Sequence, residues 1–237
     1  LTSTNSSIGL IYALKKIFEN MKKKIFLNIW EIENSFYQKS DISRLNKAIC
    51  HYEIFKKTLN TPGAIIECGV FKGTSLIRFL TFRNLLKKNH KKVIGFDPFG
   101  KFPKQRIKED QTFARNHDKH SGLGIKKNKL QFYLKRKKFS NFKLIKGNIE
   151  KSLPHFLRKN KNLKVSFLHL DMDVYEPTKY ALNFFYKYMS KKGVILIDDY
   201  GQVKGATRAT REFLKKFKSL KIQQLKFNSR LKFLVKN

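Results

Sequence analysis

The amino-acid sequence predicts an α/β fold, in which N-terminal helices precede a doubly wound, mostly parallel sheet with an antiparallel final strand. From Gly63 onward, short apolar runs alternate with stretches of helical spacing. The runs are apolar almost throughout, which is typical of parallel strands that helices cover on both faces. Two further short runs close the chain on either side of Phe227-Asn228-Ser229, and their spacing predicts a pair of antiparallel strands.

Length and composition bound the class of protein. The chain has 237 residues, and we divide it into a helical extension over residues 1–60 and an α/β domain over residues 61–237. Hydrophobic residues make up 41%, and Phe alone contributes 22 residues, which excludes a mainly disordered chain. The two cysteines, Cys50 and Cys68, lie far apart, which excludes a disulfide scaffold and a zinc ribbon. No apolar run approaches the roughly 18 residues that a membrane span needs.

The first 60 residues are predicted to be helical. Apolar residues recur at helical spacing over residues 8–30 with lysines between them, which predicts a basic amphipathic helix. Such a stripe packs on its own domain or on a partner subunit, so a homo-oligomer is one expectation, and weak contact with an anionic membrane surface is the alternative. Ser40 or Asp41 is predicted to cap a second helix, which Thr61-Pro62-Gly63 follows.

The α/β domain is predicted element by element. Short apolar runs predict strands over residues 64–66, 93–96, 142–145, 165–170 and 194–197, and the closing pair over 221–226 and 230–235. Helices are predicted at about 74–88, 150–159, 177–190 and 205–218. Residues 100–141 are the least regular stretch: they are charged and show no strong strand pattern, which makes them a candidate lid or substrate-facing insertion.

Charge is the most unusual property of the composition. Lysine and arginine together number 52 against 17 aspartates and glutamates, a net charge of +35, which suggests nucleic acid, an acidic membrane surface or a phosphorylated substrate as partner. However, 42 of these cations are lysine and only 10 are arginine, whereas phosphate and base recognition favours arginine. We therefore favour a solvated, lysine-rich surface and expect no nucleic-acid partner. No secretory leader pattern is recognisable, so a cytoplasmic protein is expected.

The first motif is Glu67-Cys-Gly69-Val-Phe-Lys-Gly73-Thr74-Ser75, which follows the first predicted strand and opens a helix. Glycines allow a tight turn and the close approach of a ligand, and the helix N-terminus adds unpaired N–H donors. The spacing differs from the dinucleotide fingerprint and from the P-loop. An acidic residue just before the glycines suits a ligand with a positive group, such as an ammonium or a sulfonium. The alternative is a strand-to-helix turn without a ligand.

Two smaller motifs point to further ligand contacts. Asp97 ends the second predicted strand, where an acid in a doubly wound fold accepts the ribose hydroxyls of a nucleoside; the alternative is a turn residue before Pro98. Arg208 and Arg211 lie three residues apart on a predicted helix. They either hold an anionic group of a substrate or are simply solvated.

Four aspartates end two neighbouring predicted strands: Asp171 and Asp173 follow the fourth, and Asp198 and Asp199 follow the fifth. The carboxyl ends of adjacent parallel strands face one crevice, where α/β folds bind ligands. Carboxylates repel one another there unless cations offset their charge, and Mg²⁺ does so well because it accepts carboxylates, waters and substrate oxygens. Solvated acids are the alternative. His169 is interpreted as a packed core residue, on the side of the strand opposite Asp171.

In their order along the chain, these motifs resemble the macrocin O-methyltransferase family of TylF and MycF type, whose members methylate sugar hydroxyls with S-adenosylmethionine. The resemblance runs from about Gly63 to Phe213 and rests on IIECGVFKGTS, GFDPFGKFP, KGNIEKSLP, LHLDMDVYEPTKYAL, GVILIDDYG and GATRATREF. It implies a Rossmann-like methyltransferase sheet, S-adenosylmethionine as cofactor and Mg²⁺ beside it. It also implies that the acceptor is a small-molecule sugar or glycoside.

The resemblance implies roles for individual residues. Glu67, Gly69 and Gly73 are implied to line the methionine end of the cofactor. Thr74 and Ser75 are also expected to bind the cofactor. Asp97 is implied to bind the ribose of the cofactor. Gly147 and Asn148 are implied to lie near its adenine. Those that match the metal ligands are Asp171, Asp198 and Asp199. Val174 stands where related catechol-type enzymes place a lysine, so no lysine base is implied there.

The chemistry that these parts suggest is methyl transfer to an alcohol. A sugar hydroxyl is a poor nucleophile, Mg²⁺ lowers the pKa of an oxygen that it coordinates, and Asp171 or Asp173 is expected to take the proton. Two alternatives stay open at this point. One is a methyltransferase for RNA 2′-hydroxyls, which the net charge motivates, and the other is a non-catalytic module that binds S-adenosylmethionine.

Overall fold

The computed structural model describes residues 28–237, and the helix predicted over residues 8–30 lies almost wholly outside them. The first described helix, α1, covers Ile29–Lys39, and the Asn28 side chain caps it by accepting a backbone hydrogen bond from its first turn. The second helix, α2, covers Ile42–Lys56, close to the predicted span.

The chain divides between Leu45 and Asn46 into two compact units. The division falls inside α2 rather than at residue 60, because the C-terminal half of this helix carries side chains that are buried in the larger unit. These are Cys50, His51, Ile54 and Phe55. The separation into a helical extension over residues 1–60 and an α/β domain over residues 61–237 stays a prediction. The boundary between the two compact units lies earlier, between Leu45 and Asn46.

A seven-stranded sheet forms the centre of the larger unit. Its strands are β1 Ala64–Cys68, β2 Val93–Asp97, β3 Phe142–Lys146, β4 Val165–Leu170, β5 Met189–Ile197, β6 Gln223–Leu225 and β7 Asn228–Val235. Their order is β3-β2-β1-β4-β5-β7-β6; β1 to β5 are parallel, and β7 runs antiparallel to β5. The order reverses between β1 and β4, and ligands bind at such a switch point. This topology confirms the predicted fold class.

Helices cover both faces of the sheet, and each face has its own apolar core. The remaining helices are α3 Thr74–Leu85, α4 Lys108–Ser121, α5 Lys127–Arg136, α6 Ile149–Arg158, α7 Tyr175–Phe185 and α8 Lys204–Lys216. Helices α2, α3 and α5 contribute to one core, which includes Phe79 and Leu130. Helices α6, α7 and α8 contribute to the other, which includes Phe185 and Phe213. Both cores pack against the central strands, and this packing fixes the positions of the carboxyl ends of those strands.

Residues 100–141 contain no strand, and they include the helices α4 and α5, which the sequence analysis does not predict; a lid or substrate-facing insertion here stays a prediction. Neither helix carries a strong periodic signal. Helix α4 is mostly polar and buries only Asp110 and Ala114, and α5 buries only Leu130 and Leu134. Two apolar residues four positions apart are too few to predict a helix from spacing alone.

One further boundary differs from the prediction. The helix predicted over residues 177–190 ends at Phe185, and a 3₁₀ turn over Tyr186–Tyr188 leads into β5. Strand β5 therefore starts earlier than its apolar run, with exposed lysines in its first half. Among the residues from 28 onward, no helix is both long and apolar enough to cross a membrane.

Candidate active site

The turn between β1 and α3 is built on two glycines in left-handed backbone conformation. Gly69 has a φ of 92°, and Gly73, directly before α3, has a φ of 88°. A Cβ atom on Gly69 would lie 1.7 Å from the carbonyl oxygen of Asp171, so only glycine fits where the turn meets the end of β4. The glycine turn, residues 69–73, therefore lies directly against Asp171. Asp171 is the first of the four aspartates that form the acidic motif, which are Asp171, Asp173, Asp198 and Asp199.

Helix α3 begins with Thr74 and Ser75, immediately after this turn. Gly73 stands at the N-cap position, and no side chain caps the helix. The first N–H groups of a helix have no partner within the helix, and they attract oxygen atoms of a ligand. The start of α3 therefore offers backbone donors beside the glycine turn.

Asp97 ties the glycine turn to the end of β2. Its Oδ2 atom accepts hydrogen bonds from the backbone N–H groups of Val70, at 2.8 Å, and Phe71, at 2.9 Å. Its Oδ1 atom accepts a third from the N–H of Phe99 at 2.5 Å. Burial raises the pKa of Asp97, and these donors oppose the shift. The carboxylate acts as a turn residue, as the alternative interpretation predicts, and its contact with a ribose stays a prediction.

Gly147 and Asn148 follow β3 and lie beside Asp97. The N–H of Gly147 donates to the carbonyl oxygen of Asp97 at 3.0 Å. Asn148 begins α6, where its side chain accepts a hydrogen bond from the Glu150 N–H at 2.8 Å. The structure thus brings the predicted ribose and adenine residues together at the ends of β2 and β3.

Glu67 and His169 are neighbours on β1 and β4, and both side chains are fully buried. The Nδ1 atom of His169 lies 2.9 Å from Oε1 of Glu67, and the Nε2 atom lies 3.8 Å from Oδ1 of Asp198. His169 is a core residue as predicted. Its predicted position on the side opposite Asp171 is wrong, because side chains two residues apart along a strand share a side. Glu67 faces this ring, so its contact with the cofactor stays a prediction.

The four aspartates at the ends of β4 and β5 fall into two groups. Carboxylate oxygens of Asp171, Asp173 and Asp199 all lie within 4.8 Å of one another. Asp198 turns instead toward two buried imidazoles, whose Nε2 atoms each lie 3.8 Å from its Oδ1 atom. These rings belong to His51 and His169. The predicted ligands are therefore divided. Asp171 and Asp199 lie together with Asp173, and these three residues are called the carboxylate group below. Asp198 lies with the two histidines.

Lys47 of α2 lies between the two groups. Its Nζ atom forms a close ion pair with Oδ2 of Asp198 and lies 3.7 Å from Oδ2 of Asp171. Neither Lys47 nor His51 is predicted as a site residue from the sequence, because both come from a helix far away along the chain. Their one signal is the spacing: two polar residues four positions apart share the side of α2 that also buries Ile54.

These contacts shift the carboxyl pKa values in opposite directions. Burial acts to raise the pKa of Asp198, but its imidazole and ammonium neighbours outweigh it and hold this pKa well below the usual range. Burial and the charge of Asp198 raise the pKa of Asp171 to about 8, and burial raises that of Asp173 to about 6. Burial and the charge of Asp171 also raise the pKa of Asp199. Asp198 therefore favours its charged form, whereas burial favours the protonated forms of the other three aspartates.

The sequence matches a family whose chemistry suits this arrangement. Residues 35–225 match the profile of the macrocin O-methyltransferase family, TylF. The chain belongs to the TylF macrocin O-methyltransferase family. It is accordingly an O-methyltransferase that depends on S-adenosylmethionine. No curated protein matches the sequence.

Solved O-methyltransferases share the fold of this TylF family member. NovP is 18% identical, with 81% of this chain and 79% of NovP covered at a TM-score of 0.69. CalS11, a calicheamicin methyltransferase, is also 18% identical, with 99% of this chain and 94% of CalS11 covered at a TM-score of 0.67. An O-methyltransferase from Bacillus cereus in complex with SAH is 11% identical, with 94% and 97% covered at a TM-score of 0.50. At these identities the likeness shows the fold alone.

In this TylF family member, the insertion over residues 100–141 packs against the glycine turn. The N–H of Ile125 donates to the carbonyl oxygen of Phe71 at 2.9 Å. The rings of His117 and Phe71 meet edge to face, with centroids 5.0 Å apart. The charge of His117 also lowers the pKa of Asp173 against the effect of burial. The insertion therefore reaches both the glycine turn and the acidic motif.

The two arginines of the TylF-like motif on α8 differ in their surroundings. The Nε atom of Arg208 donates to Oε1 of Glu212 at 3.1 Å, and its guanidinium lies 4.4 Å from the centre of the Tyr175 ring. Arg211 has no hydrogen bond or ion pair within the part of the chain that the structure covers. Both line a surface groove of about 470 Å³, together with Lys204. The groove also includes the loop after Asp199.

Proposed function

We propose that this protein transfers a methyl group from S-adenosylmethionine to a hydroxyl of a sugar or a glycosylated acceptor, with assistance from Mg²⁺. The observation that carries the proposal is the contact between Gly69 and Asp171, because it puts the glycine turn next to the carboxylates. One neighbour of the same fold and the name of the family support the sugar as acceptor. CalS11 is a TDP-rhamnose 3′-O-methyltransferase, and the family is named macrocin O-methyltransferase.

The glycine turn and the start of α3 fit the methyl donor. S-adenosylmethionine supplies the methyl group on a positively charged sulfur. Its amino acid carboxylate suits the free N–H groups at Thr74 and Ser75, and its sulfonium suits an acidic neighbourhood. Asp97 holds the turn in shape through three backbone hydrogen bonds, so we assign it a positioning role in addition to the predicted ribose contact.

The carboxylate group fits a hard divalent cation. Three carboxylate oxygens within 4.8 Å of one another match the oxygen ligands that Mg²⁺ prefers, which supports a divalent ion at this place. When bound, Mg²⁺ supplies positive charge that eases deprotonation of an acceptor hydroxyl. We assign Asp171 and Asp199 to the ion. The third ligand is Asp198, as the family implies, or Asp173, as the grouping favours.

Asp173 is our choice for the group that takes the proton. Its pKa is raised to about 6, which leaves it ionised at neutral pH and still basic enough to accept a proton in the transition state. The backbone of Asp173 has a φ of 63°, which is uncommon outside glycine, and its N–H donates to Oδ2 of Asp199 at 3.2 Å. This hydrogen bond orients the Asp199 carboxylate toward the backbone of Asp173.

The groove along α8 favours an acceptor that carries an anionic group. Arg208, Arg211 and Lys204 bring positive charge to one side of the loop that carries Asp199. A nucleotide sugar would place its sugar near the carboxylates and its diphosphate in this groove. A cytoplasmic location and a homo-oligomer stay predictions.

The experiment that tests the proposal is methyl transfer from labelled S-adenosylmethionine to a panel of acceptors, with Mg²⁺ and with excess chelator. The panel contains nucleotide sugars, neutral glycosides, small phenols and RNA. Mg²⁺-dependent labelling of sugars supports the proposal. Labelling of RNA instead, with binding that weakens steeply as salt rises, would replace the sugar by a ribose 2′-hydroxyl. Labelling that persists in chelator would remove the metal from the mechanism.

A further inference from the structure

Lys47 contacts two of the four aspartates, Asp198 and Asp171. Among residues 28–237, no other lysine or arginine lies within 4.0 Å of these carboxylates. The Asp198 side chain is only 9% exposed and that of Lys47 is 30% exposed, so their ion pair is largely shielded from water. Charges in such a setting interact more strongly than charges on the surface.

The position of Lys47 coincides with the region where the predicted metal ligands meet. Its ammonium group contacts Asp198 closely and lies 3.7 Å from Asp171, and both residues belong to the ligand set that the family implies. An ammonium ion and a divalent ion repel each other across such short distances. Both therefore cannot occupy the space between these two carboxylates.

Charge balance shows that Lys47 alone does not neutralise the cluster. Among residues 28–237, the basic groups within 4.0 Å of the four aspartates are Lys47, His51 and His169, and His169 also pairs with Glu67. Asp171, Asp173 and Asp199 bring carboxylate oxygens within 4.8 Å of one another, and of these three only Asp171 lies within 4.0 Å of Lys47. A second cation is therefore still attracted while Lys47 is in place.

We propose that Lys47 is a resident cation of the acidic cluster, which stabilises the cluster without metal and competes with Mg²⁺ for Asp171 and Asp198. This inference rests on the proposed function, because only a metal-assisted enzyme gives Lys47 a competitor. The contact with Asp171 is the longer of the two, so an ion at Asp171 would displace it more easily than the pair with Asp198. Lys47 thereby lowers the affinity for Mg²⁺ and acts as a positioning residue for Asp198.

The test measures binding of Mg²⁺ alone to the full chain by calorimetry, for the wild type, K47M and K47R. K56M serves as the matched control, because Lys56 lies on the same helix and pairs with Glu53 at 3.2 Å, away from the cluster. We expect K47M to bind Mg²⁺ about tenfold tighter than the wild type or more, because the competing charge is gone. K47R keeps the charge and is expected to bind like the wild type, as is K56M.

Thermal unfolding supplies a second readout. Without metal, K47M should unfold at a lower temperature than K56M, and Mg²⁺ should raise its Tm more than it raises that of the wild type. K47Q, which removes the charge but keeps a hydrogen-bond donor toward Asp198, replaces K47M if that variant does not fold. Equal Mg²⁺ affinity in K47M, K56M and the wild type would overturn the competition while leaving metal assistance intact. Absence of Mg²⁺ binding in every protein would overturn both, and the wild-type titration tells the two failures apart.

Discussion

The Nδ1 atom of His169 lies 2.9 Å from the Oε1 atom of Glu67, and neither side chain reaches solvent. This pair starts a chain of alternating charge, which continues from the His169 ring to Asp198, from there to Lys47, and on to Asp171. Removing one member of a buried ion pair leaves its partner uncompensated, which costs more than the pair contributes. This series of charged side chains therefore links Glu67, which is buried on β1, to the acidic motif at the carboxyl ends of β4 and β5.

The first prediction concerns Glu67. The charges of Asp198 and Glu67 outweigh burial and raise the pKa of His169 to about 9, so E67Q should lower this pKa and weaken the support of Asp198. We expect E67Q to lower the free energy of unfolding by roughly 3 kcal/mol, as for a broken buried ion pair. Urea denaturation measures the loss. E53Q is the control, because Glu53 and Lys56 are both about 40% exposed and their pair contributes well below about 1 kcal/mol. Equal losses in the two variants would contradict the prediction.

The second prediction concerns pH. Between about pH 7 and pH 9, folded Asp171 and His169 hold protons that their unfolded forms release, because their pKa values are raised to about 8 and about 9. The folded state then binds more protons than the unfolded state, so stability falls as pH rises. We expect the Tm of the metal-free protein to drop across this window.

The slope of this pH dependence separates the groups involved. D171N removes one of the two raised pKa values, so its Tm should fall less steeply between pH 7 and pH 9 than that of the wild type. Mg²⁺ binds deprotonated carboxylates, so its stabilising effect should grow with pH in the wild type. Parallel Tm profiles for the wild type and D171N would rule out Asp171 as the source.

The third prediction concerns Gly69. G69A combines a φ of 92° with a Cβ atom 1.7 Å from the carbonyl oxygen of Asp171, so the turn or the end of β4 must move. We expect a loss of more than about 2 kcal/mol of stability together with loss of S-adenosylmethionine binding. G201A is the matched control. Gly201 has a φ of 84° but nothing within 4 Å of its Cβ position, so only about 1–2 kcal/mol of backbone strain is expected. Urea denaturation and calorimetry with S-adenosylmethionine measure the two effects.

The sheet could be predicted from the sequence because its signals are local. Apolar runs such as 165–170 mark buried strands, and the acids that follow them must lie at the same edge of a parallel sheet. The sequence alone therefore predicts that the glycine turn, Asp97 and the acidic motif lie near one another. Helices α4 and α5 were missed because they bury few side chains and lack a periodic apolar stripe.

The partners within the site could not be predicted in the same way. Lys47 and Asp198 are 151 positions apart, and nothing in the spacing of either motif specifies their contact. The division of the aspartates depends on side-chain direction, which follows from the packing of α2 and β4 around His169. Such juxtapositions arise from tertiary structure, so residue type and spacing leave them open.

The fourth prediction concerns Arg211. Since this side chain has no hydrogen bond or ion pair among residues 28–237, R211Q should leave the Tm unchanged. If the groove holds the diphosphate of a nucleotide sugar, R211Q should raise KM for that acceptor several-fold and leave kcat and S-adenosylmethionine binding near wild type. R230Q is the control, because Arg230 is an exposed residue on β7 outside the groove. The same KM for R211Q and R230Q would exclude the groove as the anion subsite.

The last prediction separates the roles of the aspartates. Asp198 is held by Lys47 and lies 3.8 Å from the Nε2 atom of each of two histidines, so D198N removes the charge that these groups share. If Asp198 is also a metal ligand, D198N should abolish turnover and weaken Mg²⁺ binding while S-adenosylmethionine binding stays near wild type. D173N should behave differently if Asp173 only takes the proton. It should keep its Mg²⁺ affinity and lower kcat by about 10²–10⁴-fold, the usual contribution of general base catalysis. Should D173N lose Mg²⁺ binding while D198N retains it, the ion would belong to Asp171, Asp173 and Asp199, and Asp198 would serve only to hold Lys47 and the imidazoles.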